Sequence, residues 1–192
     1  MNDQYITLPK NYTSIKEASE DINFSMPSDL QTGSLLRTLV ASKPKGNFLE
    51  LGTGTGLSLA WIAEAMDKDS KVISIDTNET YLAIARKSFA KDDRIKIICE
   101  DGNAWIKNNQ HQKFDLIFAD AWPGKYEALE ETLALVKPGG FYIIDDMLPQ
   151  PNWPAGHDKN VERLIDELEA RKNITLTKLN WSTGIVIVTK IY

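Results

Sequence analysis

Phe48-Leu49-Glu50-Leu51-Gly52-Thr53-Gly54-Thr55-Gly56 is an apolar run that ends in three glycines at alternate positions. The apolar residues predict a buried strand, and a helix predicted over 57–66 follows at once, so the glycines form a strand-to-helix turn. Glycine permits positive φ and lets a ligand lie against bare backbone at a helix N-terminus. A dinucleotide fingerprint, Gly-x-Gly-x-x-Gly, would place its third glycine where Leu57 stands. Glu50, just ahead of the first glycine, offers a carboxylate to an ammonium rather than to a pyrophosphate. The loop (Glu50, Gly52, Thr53, Gly54 and Gly56) therefore points to the aminocarboxypropyl end of S-adenosylmethionine.

Outward from this loop, short apolar runs alternate with helix-period segments. Strands are predicted over 47–51, 71–76, 95–99, 114–119, 140–145, 174–179 and 185–189. Several are apolar at consecutive positions, which suits a parallel sheet covered on both faces. Between them, Tyr126, Leu129, Leu133 and Val136, and then Val161, Leu164, Ile165 and Leu168, recur at helical steps. Lys137-Pro138-Gly139-Gly140 should stop the first of these helices and turn the chain into the next strand. Asn180-Trp181-Ser182-Thr183-Gly184 is too short for a helical crossover, so the last two strands should pair as an antiparallel hairpin. The first 46 residues read as a helical cap, with capping-box spacings at Ser14–Glu17 and Ser28–Gln31 and a helix over 29–41. The expected fold is α/β: a Rossmann-like, doubly wound seven-stranded sheet with a C-terminal antiparallel hairpin and an N-terminal helical cap, all in one domain over 1–192.

Two further carboxylates fall at the ends of the second and third strands. Asp76 is placed to accept the ribose hydroxyls of a nucleoside, or to cap the helix that follows. Asp101, followed by Gly102, is placed within reach of an adenine amino group. Elsewhere the chain argues by exclusion. A net charge of -5 with dispersed Lys and Arg disfavours nucleic acid as the main partner. No apolar run approaches the ~18 residues of a membrane span. The one cysteine, Cys99, suits a reducing compartment and reads as a buried small hydrophobe, and a cytoplasmic location is expected.

These residues resemble the class I S-adenosylmethionine-dependent methyltransferases, and more narrowly the small O-methyltransferases related to the catechol and caffeoyl-CoA enzymes. The resemblance runs from about Ser25 to the end. It implies that Met26, ahead of the first strand, touches the cofactor, and that Ser58 joins Glu50 and the glycine loop around it. Phe118-Ala119-Asp120-Ala121-Trp122-Pro123-Gly124-Lys125-Tyr126 is similar to the catechol-type segment, which makes Asp120 a metal ligand and places Trp122 near the adenine. Ile143-Ile144-Asp145-Asp146-Met147 resembles the family's paired Asp-Asn ligands, so Asp120, Asp145 and Asp146 form the implied metal set, for Mg²⁺ or another divalent cation. Two positions depart from the pattern: Pro123 stands where the catalytic lysine is expected, with Lys125 the nearest replacement, and Asp146 replaces Asn. Related enzymes imply a homodimer.

Methyl transfer from a sulfonium needs an oriented nucleophile and a place for its proton. A hard cation on Asp120, Asp145 and Asp146 would acidify an acceptor hydroxyl. Without metal, His157, after the proline-rich loop that follows the fifth strand, is the candidate base, whereas His111 belongs to the opposite sheet edge. Trp153 and Trp181 are placed to frame a planar small-molecule substrate, and Trp61 and Trp105 to pack the core or the cofactor side. The segment Asp120-Ala121-Trp122-Pro123 lacks the Pro-Pro-aromatic signature of many amino-methylating enzymes, which favours oxygen as the acceptor. The competing expectations are an NAD-dependent oxidoreductase and a cofactor-binding protein with lost catalysis.

Overall fold

The computed structural model describes residues 2–3, 5–150 and 153–192. Two helices, α1 (Tyr12–Asp21) and α2 (Leu30–Ala41), precede an alternating core. That core runs β1 (Asn47–Leu51), α3 (Leu57–Ala65), β2 (Lys71–Asp76), α4 (Glu79–Phe89), β3 (Ile95–Cys99), α5 (Gly102–Asn108) and β4 (Phe114–Ala119). It continues through α6 (Leu129–Leu135), β5 (Val136–Ile144), α7 (His157–Glu169), β6 (Ile174–Leu179) and β7 (Ile185–Lys190).

The seven strands order as β3-β2-β1-β4-β5-β7-β6. β7 alone runs antiparallel, inserted between β5 and β6, as the short hairpin loop requires. Side-chain alternation explains the double cover. Leu49, Leu51, Ile117, Tyr142 and Ile144 face one core with residues of α5, α6 and α7, while Phe48, Leu116, Phe118 and Ile143 face a second core with α1, α2 and α3. The strand order reverses between β1 and β4, and ligands of such sheets bind at the carboxyl ends of the strands beside that switch point.

Several boundaries differ from expectation. The helix through Tyr126 begins only at Leu129, and strand pairing resumes at Val136, which pairs with Phe114 before Leu116 pairs with Phe141. Lys137–Gly140 is thus a bulge inside β5, with Gly139 at φ +73°, rather than a turn ahead of it. Neither capping box forms. α1 starts at Tyr12, so Ser14 lies inside its first turn, with its hydroxyl donating to the Asn11 carbonyl at 3.0 Å. At α2, Ser28 Oγ donates to Asp120 Oδ2 at 2.9 Å, and Asp29 Oδ2 accepts from Ser182 Oγ at 2.6 Å. Both residues leave the helix end to bond the carboxyl edge of the sheet. Asp76 does not cap α4; Asn78 does, accepting from the amides of Thr80 and Tyr81. Cys99 is exposed on β3, because β3 is an edge strand and half-covered. Trp61 and Trp105 are core residues as expected.

Candidate active site

The glycine loop adopts the geometry its composition demands. Gly52, Gly54 and Gly56 all have positive φ (+101°, +50° and +95°). The Gly52 amide donates to the Ile75 carbonyl at 2.9 Å, and the Gly54 amide donates to Asp76 Oδ2 at 2.8 Å. A Cβ at Gly52 would lie 2.8 Å from the Asp120 carbonyl oxygen, and one at Gly54 would lie 2.9 Å from the Phe24 ring. The bare backbone therefore serves close approach by the next loop and by the cap. Thr53 turns its hydroxyl inward, 2.6 Å from Ser74 Oγ.

Glu50 is fully buried on β1. Ser74 Oγ donates to Oε2, but Oε1 has no hydrogen-bond partner. Burial pushes the carboxyl up to about 7, against the lowering effect of the Ser58 and Ser74 hydroxyls. A buried carboxylate with one free oxygen beside a glycine loop fits an ammonium, which would satisfy that oxygen and restore the charged form.

On the far side of the loop, Asp76 Oδ1 accepts from the Asn78 amide at 2.9 Å, so each oxygen keeps one acceptor position for a ribose hydroxyl. Asp76 lines a small cavity of about 90 Å³ with Leu51, Ile75, Glu100, Gly102 and Pro123. Asp101 caps α5, its Oδ1 accepting from the Ala104 amide at 2.9 Å, and its neighbours Glu100 and Gly102 form the wall. Trp122 does not line this cavity. Its ring turns to the other side, 5.6 Å from both Tyr126 and His157.

That other side is a cleft of about 380 Å³ between residues 25–29 and the loops after β4 and β5. The loop after β4 is tied down from below: Tyr142 Oη donates to the Gly124 carbonyl, and the Gly124 amide donates to the Glu127 carbonyl at 2.8 Å. Gly124 has φ +82°, and a Cβ there would run into Leu51. The turn carries Lys125, buried, into the cleft, with its ammonium 5.9 Å from the Tyr126 ring.

Burial, and then the charge of Asp145, hold the Asp120 carboxyl well above the ordinary range, while Lys125 opposes the shift. Burial raises Asp145 to about 6; its Oδ1 accepts from Thr183 Oγ1 and from the Asp146 amide at 2.9 Å. Asp146 has φ +57°, a left-handed conformation in which Asn and Asp are enriched. His157 shares a 3.1 Å hydrogen bond with Tyr126 Oη through Nε2, and its buried Nδ1 has no partner. Trp153 lies 4.4 Å from the His157 ring. Enclosure and the nearby Lys125 lower the His157 pKa, so the imidazole is neutral near pH 7.

A family model for O-methyltransferases matches residues 12–191. The chain belongs to the O-methyltransferase family. Membership makes it an S-adenosylmethionine-dependent O-methyltransferase and sets aside the nicotinamide-dependent expectation. A Dictyostelium discoideum protein named probable caffeoyl-CoA O-methyltransferase 1 is 30% identical over 172 residues, 82% of this chain and 73% of that one. Catechol O-methyltransferase B of Danio rerio is 27% identical over 128 residues, 62% of this chain and 48% of that one. The fold is shared with the O-methyltransferase TomG from Streptomyces achromogenes, solved with SAM, at a TM-score of 0.85 and 19% identity, covering 98% of this chain and 93% of that one.

The O-methyltransferase fold thus gathers Met26, Asp120, Trp122, Lys125, Asp146 and His157 along one cleft, with Asp145 beside it. It leaves His111 exposed in the loop before β4, at the opposite edge. Trp181 is not among the cleft residues; its Nε1 donates to Asp3 Oδ2 at 3.1 Å and its ring packs on the α1–α3 side. Sequence reasoning missed Ser28, Thr183 and the Tyr126–His157 pair. Thr183 carried a signal through its place in the hairpin loop, and Tyr126 and His157 were each singled out, but not as a pair.

Proposed function

We propose that the glycine loop, Glu50 and Asp76 bind S-adenosylmethionine, and that the cleft beyond Asp120 presents the hydroxyl of a small molecule to its methyl group. The single observation that carries this reading is the unpartnered Oε1 of buried Glu50 beside three positive-φ glycines. The amino-acid end of the cofactor would meet Glu50 and Ser58, its ribose Asp76, and its adenine the small cavity at Gly102 and Pro123, with Asp101 at the rim. Met26 would close over the sulfonium from the cap side.

The acceptor proton has one destination in this chain. Neutral His157 accepts it at Nδ1 in the tautomer whose Nε2–H donates to Tyr126 Oη, and Tyr126, its pKa raised to about 12 by burial, stays protonated and fixes the ring. The lysine expected at Pro123 is supplied instead by Lys125, whose buried ammonium stabilises a developing oxyanion.

Asp120, Asp145 and Asp146 supply hard oxygen donors; burial first, and the charge of a neighbouring carboxylate after it, raise the pKa values of Asp120 and Asp145, and a cation would offset both effects. Among the described residues no three His, Cys, Asp or Glu side chains already stand as a metal cluster, so their carboxylates would have to turn inward. A bound divalent ion would lower the pKa of the acceptor hydroxyl. A free cysteine suits a reducing compartment, so we place the enzyme in the cytoplasm, acting as a homodimer by analogy with related enzymes. Purified enzyme assayed with labelled S-adenosylmethionine and a panel of phenolic acceptors, before and after EDTA, tests the reading. Methyl transfer that falls with EDTA and returns with Mg²⁺ is expected. Transfer unchanged by EDTA would remove the metal, and no transfer to any hydroxyl would remove the acceptor assignment.

A further inference from the structure

We propose that the acceptor cleft selects a planar, hydroxyl-bearing molecule whose tail is positively charged, and that it disfavours polyanionic acceptors such as coenzyme A thioesters. The inference rests on the reading of this cleft as the acceptor site.

The wall is aromatic. Trp122 lines the cleft and is 48% exposed, and His157 and Trp153 continue the surface behind it. Flat apolar faces hold a planar ring by stacking. Within that wall His157 is only 6% exposed, and its buried Nδ1 has no partner, so its hydrogen-bonding capacity is unspent.

The charge at the mouth has one sign. Of the charged side chains that line the cleft, Lys125 is the one cation among the described residues there, and since a bound cation would offset Asp120 and Asp146, Asp29 is the acidic group left to act on an acceptor's tail. Lys125 is 4% exposed and sits deep, beside Tyr126, whereas Asp29 is exposed at the rim and held in place by Ser182. The positive end of α7 opens on the same cleft, but Asp158 in its first turn offsets it. Phosphates are recognised by Arg, Lys or uncompensated helix ends, and none of these lines the mouth. An ammonium tail would be drawn both by Asp29 and by the half-exposed Trp122 ring.

Dopamine, catechol, 3,4-dihydroxybenzoate and caffeoyl-CoA share a dihydroxyphenyl ring and differ in charge, so they isolate the effect. kcat/KM is measured for each at low and high salt. Binding is read in parallel by quenching of tryptophan fluorescence with S-adenosylhomocysteine present. Dopamine should exceed 3,4-dihydroxybenzoate by about tenfold at low salt, with caffeoyl-CoA weaker still, and the ratio should shrink at high salt. Asp29→Lys should bring dopamine and 3,4-dihydroxybenzoate to within about threefold of each other. Anionic acceptors that match or outrank dopamine, or no binding of any of the four, would overturn the proposal. Binding in the expected order with no methylation of any acceptor would instead sink the catalytic reading while leaving the charge selection standing.

Discussion

Glu50 holds a carboxyl with no exposed surface and one unpartnered oxygen, a local cost the fold tolerates. Its pKa is raised from about 4.5 in the unfolded chain to about 7 in the folded one. The folded state therefore holds the proton more tightly. This contribution to stability is complete below about pH 4.5, is lost as pH rises towards 7, and is constant beyond. A shift of this size corresponds to about 3 kcal/mol at most. Glu50→Gln should accordingly raise the melting temperature of the cofactor-free protein at pH 8 by several degrees, with little change at pH 4.5, as calorimetric scans would show. A melting temperature lowered at both pH values would contradict the account. His157 allows a second prediction at this scale. If its Nδ1 takes the acceptor proton, His157→Gln should lower kcat by about 10²-fold or more while S-adenosylhomocysteine affinity is kept. Comparable turnover in stopped assays would assign the proton elsewhere. Glu50 stood out because a carboxylate inside an apolar run ahead of three glycines is unusual in sequence, whereas Asp120 was picked out by the resemblance of its segment to the catechol-type enzymes. Ser28 was not, since its partner Asp120 lies far along the chain and its local spacing suggested a helix cap.

Among the elements, the turn after β4 carries most of the site. Gly124 sets its path: φ +82° excludes most side chains, and a Cβ would collide with Leu51. Gly124→Ala should cost about 2–4 kcal/mol in denaturant unfolding. It should also impair acceptor turnover more than cofactor binding, because Lys125 and Tyr126 follow directly, whereas the turn meets the cofactor side only through Pro123 and the packing on Leu51. Equal loss of both would show that the turn is merely structural. The strands and their order of alternation were readable from apolar periodicity, and the final hairpin from the shortness of its loop. The helix expected from Tyr126 onward failed because Tyr126 belongs to this turn, with its hydroxyl committed to His157. The bulge in β5 had no separate signal, since Lys137-Pro138-Gly139-Gly140 reads equally as a turn.

Across the whole molecule, the reversal of strand order between β1 and β4 opens the crevice, and the N-terminal cap closes one side of it. The cap is fastened through polar contacts at the working edge: Ser28 to Asp120, and Asp29 and Thr32 to Ser182 in the β6–β7 loop. Phe24 sits over Gly54. Cofactor entry past Met26 and Phe24 should therefore loosen and re-form these bonds. Ser28→Ala should speed S-adenosylhomocysteine association in stopped-flow fluorescence by roughly twofold to tenfold, the scale of one hydrogen bond of about 1 kcal/mol. An unchanged rate would show that the cap does not gate entry. The sheet and its covering helices could be read from sequence because burial on two faces leaves a repeating pattern. The closure could not, because single polar bonds between distant loops leave none.

The central claim is that the loop from Glu50 to Gly56 binds the amino-acid end of S-adenosylmethionine, and calorimetric titration with S-adenosylhomocysteine at pH 6 and pH 8 tests it most directly. The account predicts saturable binding that tightens between pH 6 and pH 8 as Glu50 ionises towards the ligand ammonium. It also predicts that Glu50→Gln is weaker by about tenfold at pH 8 and has lost that pH dependence. Binding of NAD in place of S-adenosylhomocysteine, or an affinity for S-adenosylhomocysteine that Glu50→Gln leaves intact at both pH values, would contradict it.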